Sequence, residues 1–100
     1  MPAVSRHTDT LTTGHACVST TTLDTPGQGN VFANSLLIAR VGDPTIAHPN
    51  PPVPICPNHV ANVNAGSPNV FVHSIKVARI GDSADAGNMI TGSGNVFANG

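Results

Sequence analysis

One phrase occurs three times in this chain, and any fold the chain adopts must accommodate the recurrence. Residues 29–35 read GNVFANS, residues 68–74 read PNVFVHS and residues 94–100 read GNVFANG, with starts 39 and then 26 residues apart. A second phrase follows the first two copies: Ile38-Ala39-Arg40-Val41-Gly42-Asp43 is matched by Val77-Ala78-Arg79-Ile80-Gly81-Asp82. A looser version opens the chain, where Ser5-Arg6-His7-Thr8-Asp9 keeps the arginine and the aspartate at the same interval. Repetition this dense describes one supersecondary unit that cannot bury its apolar face alone and is completed by its copies.

Each copy reads as a β-hairpin. Asn30 to Ala33 is a short β-prone run, Asn34 and Ser35 make a two-residue turn, and Leu36 to Val41 is a second strand that Gly42 and Asp43 terminate. The second copy repeats this with Asn69 to Val72, a turn at His73 and Ser74, and Ile75 to Ile80. The third ends at its own turn, Asn99 and Gly100, and its return strand is supplied by Pro2 to Arg6 at the other end of the chain. The first and last strands are therefore expected to pair and close a three-fold ring, which removes an exposed sheet edge. Phe32, Phe71 and Phe97 hold the fourth place in each copy and are expected to pack as three equivalent rings about a common axis.

The chain's 100 residues form one domain, 1–100, and 39% hydrophobic residues with three aromatics give a thin core of Val, Ile, Leu and Ala. A domain of this size needs a staple such as a disulfide or a metal. Four basic and five acidic residues argue against a nucleic-acid or anionic-membrane surface. No run is long and apolar enough to cross a bilayer, and the first residues lack the apolar stretch of a secretory signal. The chain is thus expected to be made in the cytoplasm, with Cys17 and Cys56 reduced and free to ligate a metal. Helix signals are absent: there is no Glu, and 10 Gly and 9 Pro break any 3.6-residue pattern. Thr10 to Gln28 is a Thr-rich connector with a further strand expected at Ala16 to Thr22, and residues 48–59 hold five prolines in a stiff loop.

The histidines divide by position. His7 lies in the opening strand and His73 at a turn, which suits surface roles. His15 follows Asp9 by six residues and His48 follows Asp43 by five, so both leave the ring at the same end. With Cys56 and His59 of the proline-rich loop they make a tetrahedral set of three imidazoles and a thiolate, expected to hold one structural zinc per chain. Cys17, two residues from His15, is the competing sulfur and ranks below Cys56 because Cys56 lies between His48 and His59. The third repeat, after Asp82, is expected to give no ligand. Each arginine stands three residues before an aspartate, and three equivalent pairs read as architecture rather than catalysis. No nucleophile triad or phosphate loop stands out, and without glutamate the usual general base of a zinc hydrolase is missing, so no enzymatic activity is expected.

Pro2-Ala3-Val4-Ser5-Arg6 resembles the Pro-Ala-Ala-Arg signature of PAAR-repeat proteins, with Val4 and Ser5 departing from it. Residues 39–43 and 78–82 resemble the family's internal repeats, and residues 66–70 and 92–96 its Gly-Ser-x-x-Val strand starts. The resemblance implies an all-β fold, a small cone of three pseudo-three-fold hairpin repeats with a metal-stapled apex. It implies zinc ligands at His15, His48, Cys56 and His59, and a base seated on a trimeric β-helical spike, one copy per trimer. Members tip contractile phage tails and type VI secretion spikes and lead them through a target membrane. Repeats running from residue 2 to residue 100 leave no room for a toxin or adaptor domain, which favours a phage tail tip carried in the virion over a secreted spike. Isolated, the protein is expected to be a monomer. A small zinc-binding module or zinc enzyme is the alternative, and it requires an open coordination position served by Asp43 or Asp82. A carbohydrate- or receptor-binding tip fits poorly with a chain lacking Trp and Tyr.

Overall fold

A computed structural model describes residues 2–98. Among the described residues there is no helix, and ten short strands pair as five antiparallel ribbons. In chain order these are β1 (Thr10–Thr12) with β2 (Thr20–Thr22), β3 (Phe32–Ala33) with β4 (Leu36–Leu37), and β5 (His48–Pro49) with β6 (Asn58–His59). β7 (Phe71–Val72) pairs with β8 (Ile75–Lys76), and β9 (Ser83–Ala84) with β10 (Gly87–Asn88). The strand expected over Ala16 to Thr22 is confined to its last three residues.

The repeat turns have the backbone their sequences call for. Asn34 and Ser35 take φ values of 55° and 66°, and His73 and Ser74 take 50° and 67°. Two successive left-handed residues twist a two-residue hairpin in the sense its strands require. The corresponding turn of the third copy, Asn99 and Gly100, lies outside the described residues.

Beyond these hairpins the strands close a ring. Ser5 N–H donates to Ala78 O at 2.9 Å, Ala78 N–H to Ala39 O at 2.9 Å, and Ala39 N–H to Ser5 O at 3.0 Å, so each repeat binds the next and the last returns to the first. A second triangle runs in the opposite sense: His7 N–H to Leu37 O, Val41 N–H to Lys76 O and Ile80 N–H to Ala3 O. Ser5, Ala39 and Ala78 are all fully buried at this closure, where only small side chains fit. The chain ends meet as the repeat register requires. Val4 N–H donates to Val96 O, the same bond that Ile38 makes to Val31 and Val77 to Val70, and Ala3 bridges Phe97.

The three phenylalanines are equivalent but do not pack inward. Phe32, Phe71 and Phe97 are 54%, 51% and 49% exposed, while their successors Ala33, Val72 and Ala98 are buried. Side chains alternate across a strand, so filling the core with the small residue sends the ring to solvent. The core has two parts. Val4, Ala33, Ile38, Val72, Val77 and Ala98 pack near the phenylalanine hairpins, and Leu11, Leu23, Ala39, Val63, Ala78, Ala84 and Met89 form the second cluster, toward the remaining ribbons. The molecule is elongated, 40 Å by 24 Å by 22 Å.

The arginine–aspartate pairs close tight turns at the ring's edge. In each copy the aspartate Oδ2 accepts the N–H of its own arginine, at 2.7 Å for Asp9, 2.7 Å for Asp43 and 2.9 Å for Asp82. The guanidinium Nε lies 2.9, 3.6 and 2.9 Å from the same oxygen in turn. Arg6 also reaches across to Asn34 Oδ1 and Gly92 O in the other repeats.

Candidate metal centre

After each of these turns the chain leaves the ring as a second kind of hairpin and returns at an equivalent point. Leu23, Val63 and Met89 mark the returns, their N–H groups donating to Asp9 O, Asp43 O and Asp82 O. All three side chains are buried beneath the outgoing hairpins. Those hairpins differ in length but converge. His15 follows β1, His48 on β5 stands opposite His59 on β6, and Asp85 sits at the β9–β10 turn with φ 53°.

Backbone contact brings Asp85 to His15. Gly14 has φ 70°, and a Cβ there would lie 2.1 Å from Ala86 O; a Cβ on Gly87 would lie 2.1 Å from Thr12 O. Only a pair of glycines lets the end of β1 press against the third hairpin this closely, and Ala86 N–H donates to Thr13 O across the contact. On the other side, the buried Thr45 hydroxyl accepts the N–H of Ala61 and holds the His48–His59 hairpin closed.

Four side-chain atoms meet at the centre. Asp85 Oδ2 is 2.8 Å from both His15 Nε2 and His48 Nε2 and 3.5 Å from His59 Nε2. His59 Nε2 is 2.8 Å from His48 Nε2 and 3.3 Å from His15 Nε2. With metal–nitrogen bonds of about 2.05 Å, the vertices of a tetrahedral site stand about 3.3 Å apart, so the group needs adjustment of only about half an ångström to enclose an ion.

Nδ1 of His15 lies 2.9 Å from Ala16 O, and Nδ1 of His48 lies 2.9 Å from Ile46 O. A carbonyl can only accept, so each Nδ1 carries the hydrogen, and Nε2 meets the Asp85 carboxylate either as the second N–H of an imidazolium or, in a neutral ring, as a lone pair. An ionised carboxylate has no hydrogen to offer in return. Lone pairs at 2.8 Å from one another are held there by a shared proton or by a metal cation. In the metal-free state the Ala16 carbonyl raises the His15 pKa, burial opposes it, and Asp85 adds to the rise. Burial pushes the Asp85 carboxyl up, but hydrogen bonds from His48 and His15 outweigh it and hold the group below the usual carboxylate range. Metal binding displaces the proton from this arrangement. His15, His48, His59 and Asp85 therefore form a group that can hold a metal ion.

The sequence-derived set meets here in part. His15, His48 and His59 converge, whereas Cys56 has its sulfur in a disulfide with Cys17 and offers no thiolate to the group. The expectation of two reduced thiols is corrected accordingly. The third repeat does supply a donor, contrary to expectation. Asp85 follows Asp82 by three residues in the segment corresponding to those that carry His15 and His48, and a carboxylate oxygen is an ordinary zinc donor. Its offset of three residues, against six and five for His15 and His48, hides it from an alignment of the repeats at their aspartates. His7 and His73 stay apart from the centre, His73 Nε2 lying 2.6 Å from Asn30 Oδ1.

No family model matches the chain, and no curated protein matches it in sequence.

Proposed function

We propose that this protein is the metal-stapled tip of a contractile injection spike, of the phage-tail or type VI secretion kind, seated as a single copy on a trimeric β-helical shaft. The observation that carries this reading is the set Phe32, Phe71 and Phe97, equivalent in the repeat, nearly equal in exposure, and carried on hairpins over a different core cluster from the one toward His15, His48 and His59. One chain with three like faces meets a true three-fold partner with a similar contact on each subunit. Exposed aromatic rings suit the centre of such a contact, and with nine charged residues in the chain steering plays little part.

The histidine end fits the opposite task. Residues 48–60 contain no Asp, Glu, Lys or Arg, and Val53 and Ile55 are 63% and 77% exposed on the proline-rich loop. Such a loop enters an apolar layer without stripping water from an ion. His15, His48, His59 and Asp85 hold zinc, which when bound cross-links the three outgoing hairpins at one point. Four protein donors leave no position for an activated water, so the role is structural. Light scattering on the isolated protein and on its mixture with the cognate spike tests the proposal: a free monomer and one copy per three spike chains are expected. A stable homotrimer, or three copies per spike, overturns it.

A further inference from the structure

The three arginine turns are equivalent in sequence but not in what their side chains meet. Arg6 sets Nε 2.9 Å and Nη2 3.2 Å from the two carboxylate oxygens of Asp9, with Nη1 on Asn34 Oδ1 and Nη2 also on Gly92 O. Arg79 holds both oxygens of Asp82 at 2.9 Å. Arg40, with its side chain 8% exposed, has neither arrangement. Its Nε stands 3.6 Å from Asp43 and is buried without a partner, its Nη1 reaches only Val72 O at 3.5 Å, and its Nη2 makes no hydrogen bond among the described residues. Two local differences account for this. Asp43 Oδ1 is taken at 2.8 Å by the N–H of Gly27, and His73 stands where the first copy offers the Asn34 oxygen, its Nε2 turned instead to Asn30 Oδ1 at 2.6 Å. A buried guanidinium with donors to spare is costly until an acceptor reaches it.

We propose that Arg40 is the receptor for one carboxylate presented by a partner polypeptide that docks beside the Phe71 hairpin. Gly27 leaves the guanidinium edge uncovered, since Arg40 Nη2 lies 3.0 Å from the place a Cβ there would take. Lys76, the chain's one lysine, stands on β8 opposite the exposed Phe71. The other copies put Leu37 opposite Phe32 and Ala3 opposite Phe97, so this hairpin alone of the three pairs its phenylalanine with a cation. Charge complementarity therefore selects an anion, and a planar guanidinium fork matches a carboxylate. Among the described residues no cavity encloses a free molecule, so the carboxylate arrives on a larger body whose remaining contact falls on Phe71. The inference needs neither the metal group nor the spike. On a three-fold partner it means that one of three identical acidic residues is engaged by Arg40 and the other two are not.

Nitrogen-15 spectra of the whole protein resolve the arginine Nε–H groups, and sodium acetate titrated against sodium chloride at fixed ionic strength is the probe. The Arg40 signal is expected to move with acetate and to saturate on the order of 10 mM, as one small carboxylate without its carrier should, while the signals of Arg6 and Arg79 stay in place. This comparison needs no variant. His73→Asn gives Arg40 the acceptor that Arg6 finds in Asn34, so it should abolish the movement and raise the denaturation midpoint. Saturation below about 0.1 mM acetate would make this a site for a free small carboxylate and overturn the docking partner. Equal movement with chloride, the mark of an adventitious ion only, overturns the carboxylate site. So does an Arg40 signal that ignores acetate, or one that still responds in His73→Asn.

Discussion

At Gly42 the backbone has φ 91° and open space where a side chain would stand, so Gly42→Ala meets conformational strain alone, about 1–2 kcal/mol. Gly87 presents the other cost. Its missing Cβ would overlap the Thr12 carbonyl, and a main-chain atom cannot rotate away. Gly87→Ala is therefore expected to cost more, roughly 3 kcal/mol, and to weaken metal binding by parting Asp85 from His15, which Gly42→Ala should leave intact. Urea denaturation and zinc titration of the two variants check this, and equal losses would remove the close-approach argument. A third residue-scale expectation concerns Asp82, whose carboxylate serves both Nε and the N–H of buried Arg79. Asp82→Ala removes the ion-pair carboxylate of a buried guanidinium and should cost about 3–5 kcal/mol. Denaturation showing less than 1 kcal/mol would mean that the turn does not depend on its ion pair.

The hairpins are where sequence and structure agree most closely. Asn-Ser and His-Ser between β-prone runs mark a two-residue turn, and the register of the copies alone assigns Pro2 to Arg6 to the third unit. Ser35 still carries a left-handed strain that glycine lacks, about 1–2 kcal/mol, against an added unfolded-state entropy of about 0.5–1 kcal/mol. Ser35→Gly should thus stabilise by about 0.5 kcal/mol, read as a rise in denaturation midpoint, and a fall would refute the turn's assigned geometry. What the sequence did not disclose is of a different kind. Phe32 looks like core by its chemistry, and only the pleat shows that Ala33 takes the inward place. Asp85 stands in a stretch without periodicity, and its value comes from Gly14 and Gly87 letting two backbones touch, a contact between residues more than 70 positions apart. The cysteine pairing was likewise hidden, because spacing records neither the path of the Thr-rich loop nor that of the proline-rich one.

On the scale of the molecule, the staples act at one end and the aromatic ring at the other. If the group of His15, His48, His59 and Asp85 binds a metal, removing it should lower the melting temperature, by the equivalent of about 4 kcal/mol when the metal stands a thousandfold above its dissociation constant, while the hydrogen-bonded triangle of Ser5, Ala39 and Ala78 persists. Calorimetry with and without chelator measures the first, and amide exchange at those residues the second; equal loss of protection there would show one undivided unit. Phe71→Ser should leave the melting temperature within about 0.5 kcal/mol equivalent, as an exposed site does, yet, on the proposed function, weaken binding to a trimeric spike. The ring closure also bears on how the protein comes into being. Its third wall is built from residues 2–6 and 94–98, so a chain emerging from the ribosome holds one half of that wall with nothing to set it against until more than 90 further residues have been made. Two finished hairpins then wait as an open arc with exposed edges, and contacts of this sequence separation are slow to form. Residues 94–98 are the ones that turn an arc prone to sticking to its neighbours into a closed ring.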